Sequence, residues 1–110
     1  MSIKLKRCNR EYDIRIKTNT YKQGGGLALQ LEYYEFDCWL PYGVLTVNLE
    51  EYPTRENRAF VDTNNYGNEI MDWIIENNLG TPTGRIGFSG YCAYPEVEFN
   101  LDNIKEKEVN

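Results

Sequence analysis

Few residues in this sequence can do chemistry, and their types narrow the field before any fold is considered. There is no histidine among the 110 residues. That removes His-based triads, imidazole metal ligands and the usual general base at neutral pH. Cys8, Cys38 and Cys92 form no CxxC and no short repeating spacing, so they do not make a closed zinc site. Carboxylates remain. Asp62, Glu69 and Asp72 are near enough in sequence to share acid–base work or a Mg²⁺ ion. The plainer reading makes Glu69 and Asp72 a solvated helix face, and Asp62 a capping residue that satisfies backbone amides. Arg85 stands alone amid glycines near Tyr91 and is the best single candidate for recognising an anion or carboxylate. Arg85, Asp62 and Tyr91 thus form one candidate ligand site. The competing structural roles for Arg85 are an ion pair with an acid such as Asp62 or a stack on Tyr91.

A second candidate site is a surface. Glu69, Asp72 and Glu76 recur at spacings of three and four, which places them on one helix face. The run Tyr33, Tyr34, Phe36, Trp39 and Tyr42 cannot all point inward from one strand. Tyr34, Trp39 and Tyr42 are therefore candidate contacts for a protein partner, since exposed aromatic rings are favoured at interfaces. Charge supports a protein partner. Residues 1–22 carry seven bases (Lys4, Lys6, Arg7, Arg10, Arg15, Lys17, Lys22) against Glu11 and Asp13, a balance of +5. Residues 23–104 carry thirteen acids against Arg55, Arg58 and Arg85, a balance of −10. An acidic body does not suit phosphate-backbone binding, which runs on Lys and Arg displacing counterions. It suits a basic protein surface, toward which it can steer by complementarity.

The elements that must position these residues follow from periodicity. Ile3 and Leu5 alternate with Lys4 and Lys6 as a short strand, and Cys8-Asn9-Arg10 breaks it. Tyr12, Ile14 and Ile16 alternate with Asp13, Arg15 and Lys17 in a second strand that continues to Thr20. Gly24-Gly25-Gly26 reads as a hairpin tip, and Leu27 to Tyr34 as its return strand. Phe36 to Pro41 closes in a turn at Pro41-Tyr42-Gly43. Val44 to Leu49 is then a strand apolar on both faces and so central. Ala59-Phe60-Val61 is a short strand running into the capping cluster Asp62-Thr63-Asn64-Asn65. A helix begins near Asn65 or Tyr66 and runs to about Asn78, with Tyr66, Ile70, Trp73 and Ile74 on its apolar stripe. Gly80 ends it. Gly84, Gly87 and Gly90 mark a loop or irregular strand lying close on other backbone. It resembles a phosphate loop only in its glycine content, because it follows the helix instead of preceding one. No Lys-Ser, Lys-Thr or helix start follows the triple glycine Gly24-Gly25-Gly26 either. Glu96 to Leu101 is the last strand.

Summed, the reading is α+β: an antiparallel sheet of five or six strands with one short helix packed on one face. Residues 1–104 form a single domain and 105–110 a polar tail. Trp73, Ile70 and Ile74 are expected to bury against Leu29, Leu31, Leu45, Val47, Phe60 and Phe99. Nine Tyr, four Phe and two Trp supply enough ring area for a folded core. The N-terminal MSIKLKRCNREYD has no apolar signal region, and no run approaches the roughly 18 apolar residues of a membrane span. A bacterial cytoplasm with reduced thiols is expected, with Cys38 and Cys92 as small core residues.

The order LTVNL, AFVDTNN, WIIENNLG, TPTGRIGFSGYCAYP and EFNLD over residues 11–104 resembles a family of small bacterial proteins classed as a domain of unknown function. Its members occur in phages, conjugative transposons and other mobile elements. The resemblance implies a context in which small accessory proteins act against host defences or manage the element's transfer, and it carries no catalytic residue across. The aromatic stretch YYEFDCWLPY is less typical of that family. Three readings follow. The first is a non-enzymatic protein that binds a basic, nucleic-acid-binding host protein and inhibits a defence system, with no cofactor, no metal and no membrane. The second is a small-ligand or nucleotide binder at Arg85 and the Gly84–Gly90 loop. The third is a structural module whose exposed strand edge builds a homo-oligomer.

Overall fold

The computed structural model describes residues 3–22, 26–49 and 51–108, and side chains within that span up to residue 105. Its elements are β1 (Ile3–Arg7), β2 (Arg10–Thr20), β3 (Leu27–Glu35), β4 (Cys38–Val44), β5 (Thr46–Val47), β6 (Arg58–Val61), α1 (Thr63–Tyr66), α2 (Glu69–Glu76), β7 (Gly80–Ser89), β8 (Cys92–Phe99) and α3 (Leu101–Glu108). They build two antiparallel four-stranded sheets, ordered β1-β2-β3-β4 and β5-β6-β8-β7. The single sheet with one helix expected from the pattern is therefore wrong. The chain is mostly β, with small helices attached.

One corner makes two sheets out of what reads as one. Leu45 is fully buried between them, its N–H donating to Leu29 O at 2.8 Å and its carbonyl accepting from Asp62 N at 2.9 Å. The alternation from Val44 to Leu49 spans this corner. The expected central strand is really the last residue of β4 and a two-residue outer strand, β5. Pro41-Tyr42-Gly43 does not turn either. It lies inside β4, an outer strand, where a missing N–H does not break the ladder. The turn comes earlier, at Phe36 and Asp37, both at positive φ (55° and 61°) as a two-residue hairpin requires. Cys38 follows that tip and is exposed, and Cys92 is half-buried, so neither is the core thiol expected. Of the triple glycine, Gly24 and Gly25 lie outside the described residues, while the flanking strands pair down to Thr20↔Leu27.

The expected long helix is two short ones. Gly67, at φ 77°, ends α1, and α2 restarts at Asn68. The apolar stripe survives the break: Tyr66, Ile70, Trp73 and Ile74 are all buried. Asn78, not Gly80, ends α2. At φ 55° it lets Leu79 N reach Ile74 O (2.9 Å) while its own N–H reaches Ile75 O (3.0 Å), the paired bonds of a Schellman cap. Gly80 instead opens β7, pressed against Val97. After β8 the chain ends in α3, with Ile104 buried. The core between the sheets joins Ile14, Ile16, Leu29, Leu31, Leu45, Val61, Trp73, Ile74, Val97 and Phe99. Val47 is only half-buried. Phe60 is buried on the other face of its sheet, under Tyr52 at 5.7 Å.

Candidate functional site

The acidic face of α2 stands beside the outer edge of β1. Asp62 prepares the approach by capping α1: its Oδ1 accepts from Asn65 N at 3.2 Å and its Oδ2 from Asn65 Nδ2 at 2.6 Å. Trp73 then fixes α2 to the first sheet. Its Nε1–H donates to Lys4 O at 2.7 Å, a carbonyl that β2 leaves unpaired. Beside that bond runs a groove of about 530 Å³. Lys4, Lys6, Arg7 and Glu11 form one wall, and Glu69, Asp72, Trp73 and Glu76 the other.

Charges in the groove do not cancel. Lys4 pairs with Asp13, a bond that raises its ammonium pKa. Arg7 is drawn to Asn65 O (3.1 Å) and Tyr42 Oη (3.4 Å) and stacks over Tyr66 at 5.0 Å. Among the described residues, Glu11, Glu69, Asp72 and Glu76 have no ion-pair partner. By contrast, Glu32 meets Arg15 at 2.6 Å and Glu35 meets Arg10.

The aromatic run divides by face. Tyr12, Tyr33 and Tyr42 pack edge to face at 5.0–5.9 Å on the core side, and Tyr42 stacks on Tyr66 at 6.5 Å. Tyr34 and Trp39 pair at 5.2 Å on the opposite face, with Arg15 over Trp39. They lie on β3 and β4, while α2 borders β1, so the sheet separates them from Glu69, Asp72 and Glu76. The most exposed ring of the run is Phe36, 83% exposed at the hairpin tip. Its place in the Phe36-Asp37 turn is what exposes it.

Arg85, Asp62 and Tyr91 occupy three different places. Arg85 Nη1 donates to Pro53 O (2.7 Å) and Glu96 Oε2 (3.2 Å), and its guanidinium lies over Tyr52 and Phe60 at 5.8 and 5.6 Å. Asp62 caps α1, and Tyr91 stands fully exposed at the β7–β8 tip. The residue that sequence reasoning missed is Glu96, 1% exposed. It also accepts from Thr83 Oγ1 at 2.7 Å and lies 3.9 Å from Arg58. Nothing in EVEFN distinguishes it from a wet-face acid. It is buried because the 51–57 segment covers that face. The nearby cavity is about 180 Å³ and is lined by Tyr21, Leu49, Tyr52, Pro53 and Phe60. That is below the roughly 300 Å³ at which small-molecule pockets begin. Among the described residues, no group of three or more Cys, Asp or Glu is placed to hold a metal ion.

Residues 15–110 match the family described as a domain of unknown function, DUF4313. The chain belongs to that family. The DUF4313 match runs from the middle of β2 through α3 and so takes in α2 and its three carboxylates, while β1 lies before it. No curated protein and no solved structure matches the chain. Among the described residues of this DUF4313 chain, no helix is long and apolar enough to cross a membrane.

Proposed function

We propose that this chain is a non-enzymatic protein-binding module whose α2 face and adjoining groove take a basic surface of another protein. In the setting implied by the resemblance, a phage or mobile element, that partner is a nucleic-acid-binding host protein. Binding then blocks a defence system or nuclease by occupying the surface that nucleic acid would use. The observation that carries this reading is the row of carboxylates Glu69, Asp72 and Glu76, unpaired among the described residues, on a helix held in place by Trp73. A fixed row of like charges loses little entropy on meeting its complement, and it speeds encounter. Glu11 on the opposite wall adds a fourth acid to the groove. The reading centred on Arg85 has less support, because Glu96 and Pro53 already engage its guanidinium.

The test is affinity capture from bacterial host lysate, repeated with the combined Glu69→Lys, Asp72→Lys and Glu76→Lys variant. The expected result is a basic nucleic-acid-binding protein. Purified, it should bind the variant at least about tenfold more weakly, a loss of about 1.4 kcal/mol or more. Equal retention by the variant would remove α2 from the account.

A further inference from the structure

The two sheets present four outer strands, β1, β4, β5 and β7, and three of them are protected against pairing with another chain. β1 carries Lys4 and Lys6, and Trp73 occupies its outward Lys4 carbonyl. β4 carries Pro41, whose ring removes a donor from its free side. β5 is two residues long. Charge, proline and shortness are the usual ways in which sheet edges are blunted. β7 has Pro82 in its first half. From Ile86 to Ser89 it has none of these devices.

This half of β7 is built to pair. Gly90 and Tyr91 form the two-residue tip, so Ser89↔Cys92 and Gly87↔Tyr94 are the hydrogen-bonded pairs of the β7–β8 ladder. The N–H and C=O groups of Ile86 and Phe88 therefore point away from β8, along the open edge. Their side chains are 50% and 58% exposed, across from Pro95 and Ala93, on the face that continues the core side of β8. Gly87, between them, faces the other way, with its missing Cβ position 2.6 Å from Leu49 Cδ1 and 3.0 Å from Phe60. The one charge in β7, Arg85, is turned to Glu96.

We propose that β7 pairs antiparallel with β7 of a second copy, about a two-fold axis through Gly87, joining the two second sheets into one. Several observations select a second copy as the occupant. In this register Ile86 of each protomer meets Phe88 of its partner, both residues use their outward backbone groups, and Gly87 meets Gly87 at the close-approach pair. The edge is thus its own complement in hydrogen bonding and in side-chain size. It is also uncharged, so two copies of a chain with net charge −5 can meet there without setting like charges side by side. A two-fold contact of this kind closes at the dimer. It leaves α2 and its groove open, and it makes the assembly bivalent for the partner proposed above.

The experiment is sedimentation of the full chain over a concentration series at low and high salt, with Phe88→Lys and Ile86→Lys beside the wild type. Both substitutions fall on exposed side chains, and unchanged circular dichroism confirms the fold. The wild type should show a monomer–dimer equilibrium that strengthens with salt, because screening relieves the repulsion between acidic copies. Each variant should be monomeric at all concentrations. Hydrogen exchange should show Ile86 and Phe88 amides protected only at dimer-forming concentration. A concentration-independent monomer, species larger than a dimer, or a dimer that survives Phe88→Lys would overturn the proposal. Loss of the charge-dependent partner would leave it standing, since that binding weakens with salt.

Discussion

β1 and β7 are both outer strands, and the chain treats them in opposite ways. β1 alternates Ile3 and Leu5 inward with Lys4 and Lys6 outward, and α2 bonds to its free side through Trp73. β7 exposes Ile86 and Phe88 with no charge between them, and among the described residues no side-chain hydrogen bond to their backbone is found. The difference lies in what each edge has beside it. Next to β1 the groove is ionic: among the described residues the helix carboxylates have no ion-pair partner, while Asp13 holds Lys4, and Asn65 and Tyr42 hold Arg7. Along β7 the open edge is apolar backbone. Salt should therefore weaken one contact and strengthen the other.

The largest effect should come from removing the residue that fixes α2. Trp73→Ala should cost about 3–5 kcal/mol in denaturant unfolding, as for a buried large ring. Trp73→Phe separates the two roles: it keeps most of the packing and loses the bond to Lys4 O, so about 1 kcal/mol is expected. A neutral Trp73→Phe would mean that α2 is held by packing alone. On the other edge, Gly87→Val should cost about 1–3 kcal/mol, because its side chain must displace Leu49 and Phe60. A stable Gly87→Val would show that the edge is more pliant than its packing implies.

The β1 side should also show a pH effect. Burial, with Tyr42 adding and Arg7 opposing, pushes the Tyr66 phenol up to about 12 from its ordinary 10.0. Above the ordinary value the unfolded chain releases a proton that the folded chain keeps. The contribution of Tyr66 is therefore whole below pH 10 and is lost as pH rises toward about 12. Thermal midpoints across that window should fall more for the wild type than for Tyr66→Phe. Equal slopes would contradict the burial. The smallest effect on stability should come from Lys4→Thr with Lys6→Thr, which leaves the unfolding midpoint unchanged. It should nevertheless let β1 self-associate at its Lys6 end, visible as a second association step by light scattering.

Much of the fold was legible in alternation and stripe. Ile3/Leu5, Ile14/Ile16 and Leu29/Leu31 do face the core, and Ile70, Trp73 and Ile74 do share a buried face. What misled had local physical causes. Pro41 reads as a turn unless its strand is known to be outermost. Leu45 and Val47 keep strand period across a corner that only the tertiary bonds of Leu45 disclose. Gly87 reads as loop because glycine weakens strands, yet here its missing side chain makes room for Phe60. Of the candidate site, the acidic row on α2 followed from spacing alone. Its placement against β1 did not, because the bond from Trp73 to Lys4 joins residues far apart in sequence. The separation of Arg85 from Asp62 was equally hidden, since it depends on the burial of Glu96.

Hydrogen exchange on the chain, alone and saturated with the captured basic partner, tests the contrast most directly. The account predicts new protection in α2 (Glu69–Glu76) and at Lys4 to Arg7, with exchange at Ile86 and Phe88 unaltered by the partner at fixed chain concentration. Protection confined to β7, with α2 unchanged, would contradict it.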